Sequence, residues 1–177
     1  LNYADHIAEM NRPTPEYPVI FTRFNDTLVG PDQPLTAPQA SEQFDYEGEL
    51  CIVIGTGGRR IPTEHALDHV LGYTIMNDGS IRDYQRHTHQ FTPGKNFPRS
   101  GSLGPAIVTA AAAGMPPKLS ISTWVNGELR QRASIDDLIF GIPVLIATIS
   151  AAMTLEPGDI IATGTPAGVG IGFNPPR

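Results

Sequence analysis

The stretch "FDYEGELCIVIG", residues 44–55, alternates with a period of two. Phe44, Tyr46, Gly48, Leu50, Ile52 and Ile54 fall on one face, and Asp45, Glu47, Glu49, Cys51 and Val53 on the other. This alternation predicts a half-buried strand. Upstream, "NYADHIAEM" predicts a short helix over residues 2–10 with Asn2 or Asp5 as N-cap. A proline-rich extended passage and polar loop follow, to about residue 42. After the acidic strand, Ala66, Leu67, Val70 and Leu71 keep helical spacing behind Thr63 as N-cap, with Gly72 as the stop. "YTIMND" (73–78) then predicts a second strand.

Residues 84–105 form a long irregular stretch rich in His, Gly and Pro, the kind of loop that often carries function. "KLSISTWVNGELRQRAS" (118–134) predicts a hairpin, with Asn126-Gly127 supplying the positive φ angles of a type I′ turn. Residues 138–155 carry no charge and reach the lower end of membrane-spanning length. Gly141, Pro143, Thr148, Ser150 and Thr154 interrupt them, so a buried helix starting near Pro143 is the better reading. "EPGD" turns the chain into the strand "IIATGT" (160–165) and a glycine-rich ending. Strands outnumber helices and several neighbours look antiparallel, which favours an α+β fold that is mostly β.

The length of 177 residues suits one domain. The 18 glycines and 17 prolines are spread along the chain and read as turns. A net charge of −6 argues against nucleic acid as a partner. The single cysteine, Cys51, cannot form an intrachain disulfide and reads as a buried, reduced thiol in a cytoplasmic protein.

Glu47 and Glu49 share one strand face and can converge, and Asp78 sits where the second strand ends. Three carboxylates suffice for a hard divalent cation that keeps positions open for water and substrate. By spacing alone, a solvated sheet face with an Asx turn at Asn77-Asp78 fits at least as well. His6 and Glu9, three apart on a helix, share a face; a carboxylate beside an imidazole suits a general base, and an idle surface pair fits too. Arg82, Gln85 and Lys95 could hold a carboxylate or keto oxygen, or be solvated loop side chains. His87 and His89 lack a third ligand for zinc. "GTGGRR" lacks the ending of a phosphate loop. "TGTPAGVG", with Thr163 and Thr165, offers either an anion nest or a tight turn.

Taken in order, "NYADHIAEM", "DYEGELCIVIG", "GYTIMNDGSIRDYQ", "GKNF", "LGPAIVT", "VNGELRQ" and "LEPGDIIATGTPAGVG" resemble the catalytic domain of the fumarylacetoacetate hydrolase superfamily. The resemblance runs from Leu1 to Gly170. It implies a mixed β-sheet roll flanked by short helices, in a single catalytic domain (1–177) truncated at both ends, and a homodimer. It implies Mg²⁺ or Mn²⁺, with Ca²⁺ as a further option, on Glu47, Glu49 and Asp78. It makes His6 and Glu9 a catalytic dyad on a lid helix. Lys95 becomes catalytic and substrate-binding, and Arg82, Gln85 and Thr165 substrate-binding. The expected substrate is a small 2-oxo or 2,4-diketo acid, with neither nucleic acid nor membrane as partner.

The expected reaction is hydrolysis of a carbon–carbon bond in an acylpyruvate, such as fumarylpyruvate, to pyruvate and a carboxylic acid through an enolate. Oxaloacetate decarboxylation and hydration or isomerisation of a 2-oxo-enoic acid share that electron sink. A non-catalytic keto-acid binding module and a purely structural sheet domain stand further off.

Overall fold

The computed structural model describes residues 1–114, 117–173 and 175. Ten strands can be traced among them: β1 (Leu28–Val29), β2 (Phe44–Asp45), β3 (Gly48–Ile54), β4 (Val70–Asn77), β5 (Ser80–Ile81), β6 (Gly101–Leu103), β7 (Val108–Thr109), β8 (Ser120–Val125), β9 (Glu128–Ser134) and β10 (Ile160–Ala162). The α-helices are α1 (Ala4–Glu9), α2 (Arg82–Gln85), α3 (Thr92–Lys95), α4 (Ala110–Ala113) and α5 (Ile142–Ala152). The main sheet runs β1-β6-β4-β3-β10, with β7 also paired to β4. Its pairs are antiparallel except β1 with β6, so the sheet is mixed and the fold α+β, as expected.

β3 departs from the half-buried strand that its alternation predicts. It lies between β4 and β10, and from Glu49 to Ile54 both of its faces are buried. Leu50, Ile52 and Ile54 enter the core beside Tyr73, Ile142, Ile146 and Ile161. The acids on the other face are buried as well, because that face lines a cavity. Ile52, at 0% exposure, sits at the centre of the core. Its replacement by Val is expected to destabilise the fold by about 0.5–1.5 kcal/mol, read as a lower denaturation midpoint at unchanged slope.

The apolar segment forms the 11-residue helix α5, with Pro143 in its first turn. It packs on the neighbouring helix at Thr63–His69. Its burial is one-sided: Ile142, Leu145, Ile146 and Ser150 are buried, whereas Val144 is exposed. No helix among the described residues is long and apolar enough to cross a membrane. The Asn126-Gly127 turn carries the expected positive φ angles, 52° and 81°, and joins β8 to β9 through the pair Val125↔Glu128.

Three local expectations are corrected. Residues 63–69 form a 3₁₀ helix with Pro62 at the cap position and no side-chain cap from Thr63. Val70 and Leu71 leave it because the ladder claims them, Val70 opposite Ile54 and Gly72 opposite Val53. α1 is capped by Tyr3 without a side-chain bond, since Asn2 is drawn to Phe140 and Thr163. The stretch expected to be irregular from 84 to 105 begins inside the single-turn helix α2, contains a second one, α3, packed against it, and takes in β6 near its end.

Candidate active site and metal centre

The site forms where a long two-stranded ribbon breaks. β3 pairs with β4, and β2 pairs with β5 through Phe44↔Ile81 and Asp45↔Ser80. Between these ladders, Tyr46-Glu47 and Asp78-Gly79 interrupt both arms at the same level. Asp78 N–H donates to the Glu47 carbonyl at 2.8 Å, and Glu47 N–H to Asn77 Oδ1 at 3.0 Å. The break turns Glu47 and Asp78 inward beside Glu49 of β3. Glu47, Glu49 and Asp78 are all buried, and each offers an oxygen within 4.8 Å of the others.

A cavity of about 490 Å³ opens over them, lined by His6, these acids, Arg82, Gln85 and Lys95. α2 presents Arg82 and Gln85 from one turn, and α3 inserts Lys95, 1% exposed, from the other side. The Lys95 ammonium donates to Asp78 Oδ2 at 2.6 Å and to Glu47 Oε2 at 2.8 Å. Arg82 Nη1 donates to Glu47 Oε1 and, at 3.0 Å, to Gln85 Oε1. Its Nε donates to Asp45 Oδ2 at 2.8 Å. The predicted polar residues of α2 and α3 therefore meet the predicted acids.

These cations divide the carboxylates into two kinds. Burial opposes the charge on Glu47, but Lys95 and Arg82 outweigh it and hold this carboxyl well below the usual carboxylate range. Burial likewise opposes the Lys95 charge, yet Asp78 and Glu47 hold its pKa above the ordinary lysine value. Glu49 has no Arg or Lys ion-pair partner among the described residues; Gly164 N–H donates to its Oε2 at 2.8 Å. Burial, then the charges of Asp78 and Glu47, push its carboxyl up to about 8. One buried carboxylate thus lacks a counter-charge beside two others, in an all-oxygen donor set. That is the chemistry of a hard divalent cation site, and Mg²⁺, Mn²⁺ or Ca²⁺ fits it.

His6 lies on α1 with Nδ1 3.0 Å from Glu9 Oε2. Burial pushes its imidazole pKa down, against the charge of Glu47 and the bond to Glu9, so the neutral ring is favoured. With Nδ1 bound to Glu9, Nε2 is the nitrogen left to take a proton. Glu9 does not line the cavity. It stands behind His6, and its Oε1 accepts from Gly168 N–H at 2.9 Å.

The glycine-rich ending is an anion nest, filled by the chain's own acids. Gly164 N–H serves Glu49, Gly168 N–H serves Glu9, and Gly170 and Ile171 N–H serve Asp45. Gly168 is held at φ +106°, and a Cβ there would lie 1.9 Å from the Arg130 carbonyl. Only glycine fits. Thr165 belongs to this wall and does not line the cavity. Its hydroxyl proton goes to the Gly48 carbonyl at 2.9 Å, which leaves it no donor for a ligand.

Two participants are not among the predicted site residues. Arg23, in the polar loop, donates to Asp78 Oδ1 at 2.6 Å and to Ser100 Oγ at 2.7 Å. Gln131, on β9, reaches Gly48 and Thr165. His87 and His89 are exposed and belong to no cluster of potential metal ligands among the described residues.

The C-terminal domain pattern of fumarylacetoacetate (FAA) hydrolase matches residues 1–177. The chain belongs to this family. It is 49% identical to the oxaloacetate tautomerase YisK of Bacillus subtilis, over 99% of the chain and 60% of that protein. It is 42% identical to the human mitochondrial oxaloacetate tautomerase FAHD2A, over 99% of the chain and 57% of that protein. The chain thus spans little more than half the length of these relatives. Among solved structures, the fumarylpyruvate hydrolase of Pseudomonas aeruginosa in complex with Mn²⁺ and pyruvate superposes with a TM-score of 0.87 at 38% identity. That match covers 95% of this chain and 76% of the hydrolase.

Family members therefore include tautomerases and a fumarylpyruvate hydrolase, and an isomerase from Mycobacterium smegmatis as well. Tautomerisation is the reaction these comparisons add to those expected from sequence.

Proposed function

We propose that this site interconverts the keto and enol forms of a short dicarboxylic 2-oxo acid of the oxaloacetate type. The observation that carries this reading is the buried His6 imidazole, oriented by Glu9, in one cavity with a carboxylate triad whose Glu49 has no Arg or Lys ion-pair partner among the described residues. A divalent cation on Glu47, Glu49 and Asp78 would supply Lewis-acid stabilisation of negative charge on a substrate oxygen.

The chain's own groups do the rest. Arg82 and Lys95 present fixed positive charge to the acid's carboxylate and keto oxygen, which converts an encounter into an oriented complex. His6 Nε2 removes a proton from C3; the C–H electrons form the C2–C3 double bond, and those of the carbonyl move onto the C2 oxygen. The His6 imidazolium gives its proton up to that oxygen, directly or through water, which yields the enol and the neutral ring; the reverse sequence restores the ketone. Burial of the catalytic groups strengthens each of these charge interactions relative to water. The named activity of the 49%-identical Bacillus relative supports the substrate class.

A second reading is the hydrolysis of an acylpyruvate. The same His6 could activate water, and the relation to the Pseudomonas hydrolase favours it. One experiment separates them. Enol-oxaloacetate is mixed with the chain in Mg²⁺ or Mn²⁺ and its ultraviolet absorbance followed; acetylpyruvate and fumarylpyruvate are assayed in parallel for pyruvate. Enol loss faster than in buffer, abolished by EDTA and restored by Mn²⁺, is the expected result. Pyruvate release without accelerated enol loss would replace tautomerisation by hydrolysis. Activity indifferent to EDTA would overturn both.

A further inference from the structure

The two strand glutamates of the triad are joined through a glycine, and the structure shows what holds that glycine still. Gly48 pairs opposite Asn77 of β4, but its own N–H and C=O point to the other side of the strand. β10 would meet them there had it not ended at Ala162, opposite Cys51. A side chain from elsewhere replaces the missing ladder. Gly48 N–H donates to Gln131 Oε1 at 3.0 Å. Gln131 Nε2 donates to Thr165 Oγ1 at 2.7 Å, and Thr165 Oγ1 donates to the Gly48 carbonyl at 2.9 Å. These hydrogen bonds close a ring around one residue. A further bond from Gln131 Nε2 to the Pro166 carbonyl, at 2.8 Å, fixes the amide's orientation. Gln131 is 1% exposed and lies 83 residues from Gly48.

We propose that Gln131 is a positioning residue of the metal centre. Acting through Thr165 and both backbone groups of Gly48, it sets the angle between the Glu47 and Glu49 carboxylates. Glycine is the residue whose backbone turns most freely, and here it lies between two ligands that must converge. A Cβ at Gly48 would lie 2.1 Å from Thr123 Oγ1, so the hairpin that delivers Gln131 also crowds this position. The ring removes the freedom that this close approach introduces. It also accounts for the Thr165 hydroxyl, which turns away from the cavity.

The inference rests on the cation reading of the triad, and its test reads metal binding. Mn²⁺ affinity is measured by calorimetry on the full chain, at a temperature where each variant is shown to be folded. Gln131→Met keeps the volume and removes the amide; Thr165→Val removes the hydroxyl; Thr165→Ser retains it. Gln131→Met and Thr165→Val are each expected to weaken Mn²⁺ binding by about 10–100-fold, the cost of losing a hydrogen-bonding partner behind a ligand. Thr165→Ser should bind as the parent does. The double variant should be no weaker than the worse single one, because the ring opens as a unit. Parental affinity in either folded variant would overturn the proposal, as would fully additive losses. A parent chain that takes up no Mn²⁺ would instead overturn the cation reading beneath it.

Discussion

Replacing Glu49 by Gln is expected to abolish divalent-cation binding while stabilising the metal-free chain above neutral pH. The substitution keeps the shape and removes a charge. Cation affinity should fall by more than about 100-fold, the upper end of what losing a mere hydrogen-bonding partner of a ligand costs. Activity should fall with it. The effect on the metal-free fold has the opposite sign. Burial and the neighbouring Asp78 and Glu47 push the Glu49 carboxyl from its ordinary 4.5 up to about 8. Between those values the folded chain holds a proton that the unfolded chain has released, so stability falls as pH rises from 4.5 through 8. Glutamine does not titrate, so this part of the decline should vanish. Melting temperatures in EDTA across that window, with Mn²⁺ calorimetry beside them, check both halves. Parental Mn²⁺ affinity in Glu49→Gln would show that the triad is not the cation site.

What could be read from the sequence was what neighbouring segments decide. The Asn126-Gly127 turn and the helix after Pro143 each depend on a few adjacent residues. Glu47, Glu49 and Asp78 converge because β3 and β4 are consecutive strands, with Gly48 opposite Asn77. Spacing alone could not tell that meeting from a solvated face; the family resemblance and then the burial of all three acids did. The alternation misled about burial because it reports two chemically different faces, and a cavity wall of acids looks like a surface.

Arg23 and Gln131 escaped for a different reason. Their partners lie 55 and 83 residues away, and although Gln131 ends the motif "VNGELRQ", nothing local in that hairpin shows what its amide would meet. The nest in the glycine-rich ending was legible as a device for anions. That its anions are Glu9, Asp45 and Glu49 depends on four separate elements meeting.

Asp45 illustrates what such a meeting is worth. It lies on the acidic face beside the proposed cation ligands, yet its carboxylate accepts from four donors of the chain itself. Oδ1 takes Tyr46 N–H and Gly170 N–H, each at 2.8 Å. Oδ2 takes Arg82 Nε at 2.8 Å and Ile171 N–H at 3.0 Å. An ionised carboxylate has about four acceptor positions, so this one is saturated. Asp45→Asn replaces one oxygen by an NH₂ group that faces donors, and it removes a counter-charge of the buried Arg82. Removing one partner of a buried pair costs about 3–5 kcal/mol when the other charge is left alone. Arg82 keeps a second carboxylate, so the expected loss lies between about 1 kcal/mol and that range, read as a lower denaturation midpoint. Arg82 retains Glu47 and Gln85, so the variant should fold at low temperature with a guanidinium less firmly aimed. Its KM for the 2-oxo acid should therefore rise more than its kcat falls, whereas a stability defect alone would lower the active fraction and leave KM unchanged. A loss below about 1 kcal/mol, the range of an exposed ion pair, would mean that the Arg82–Asp45 contact is not the buried anchor described here.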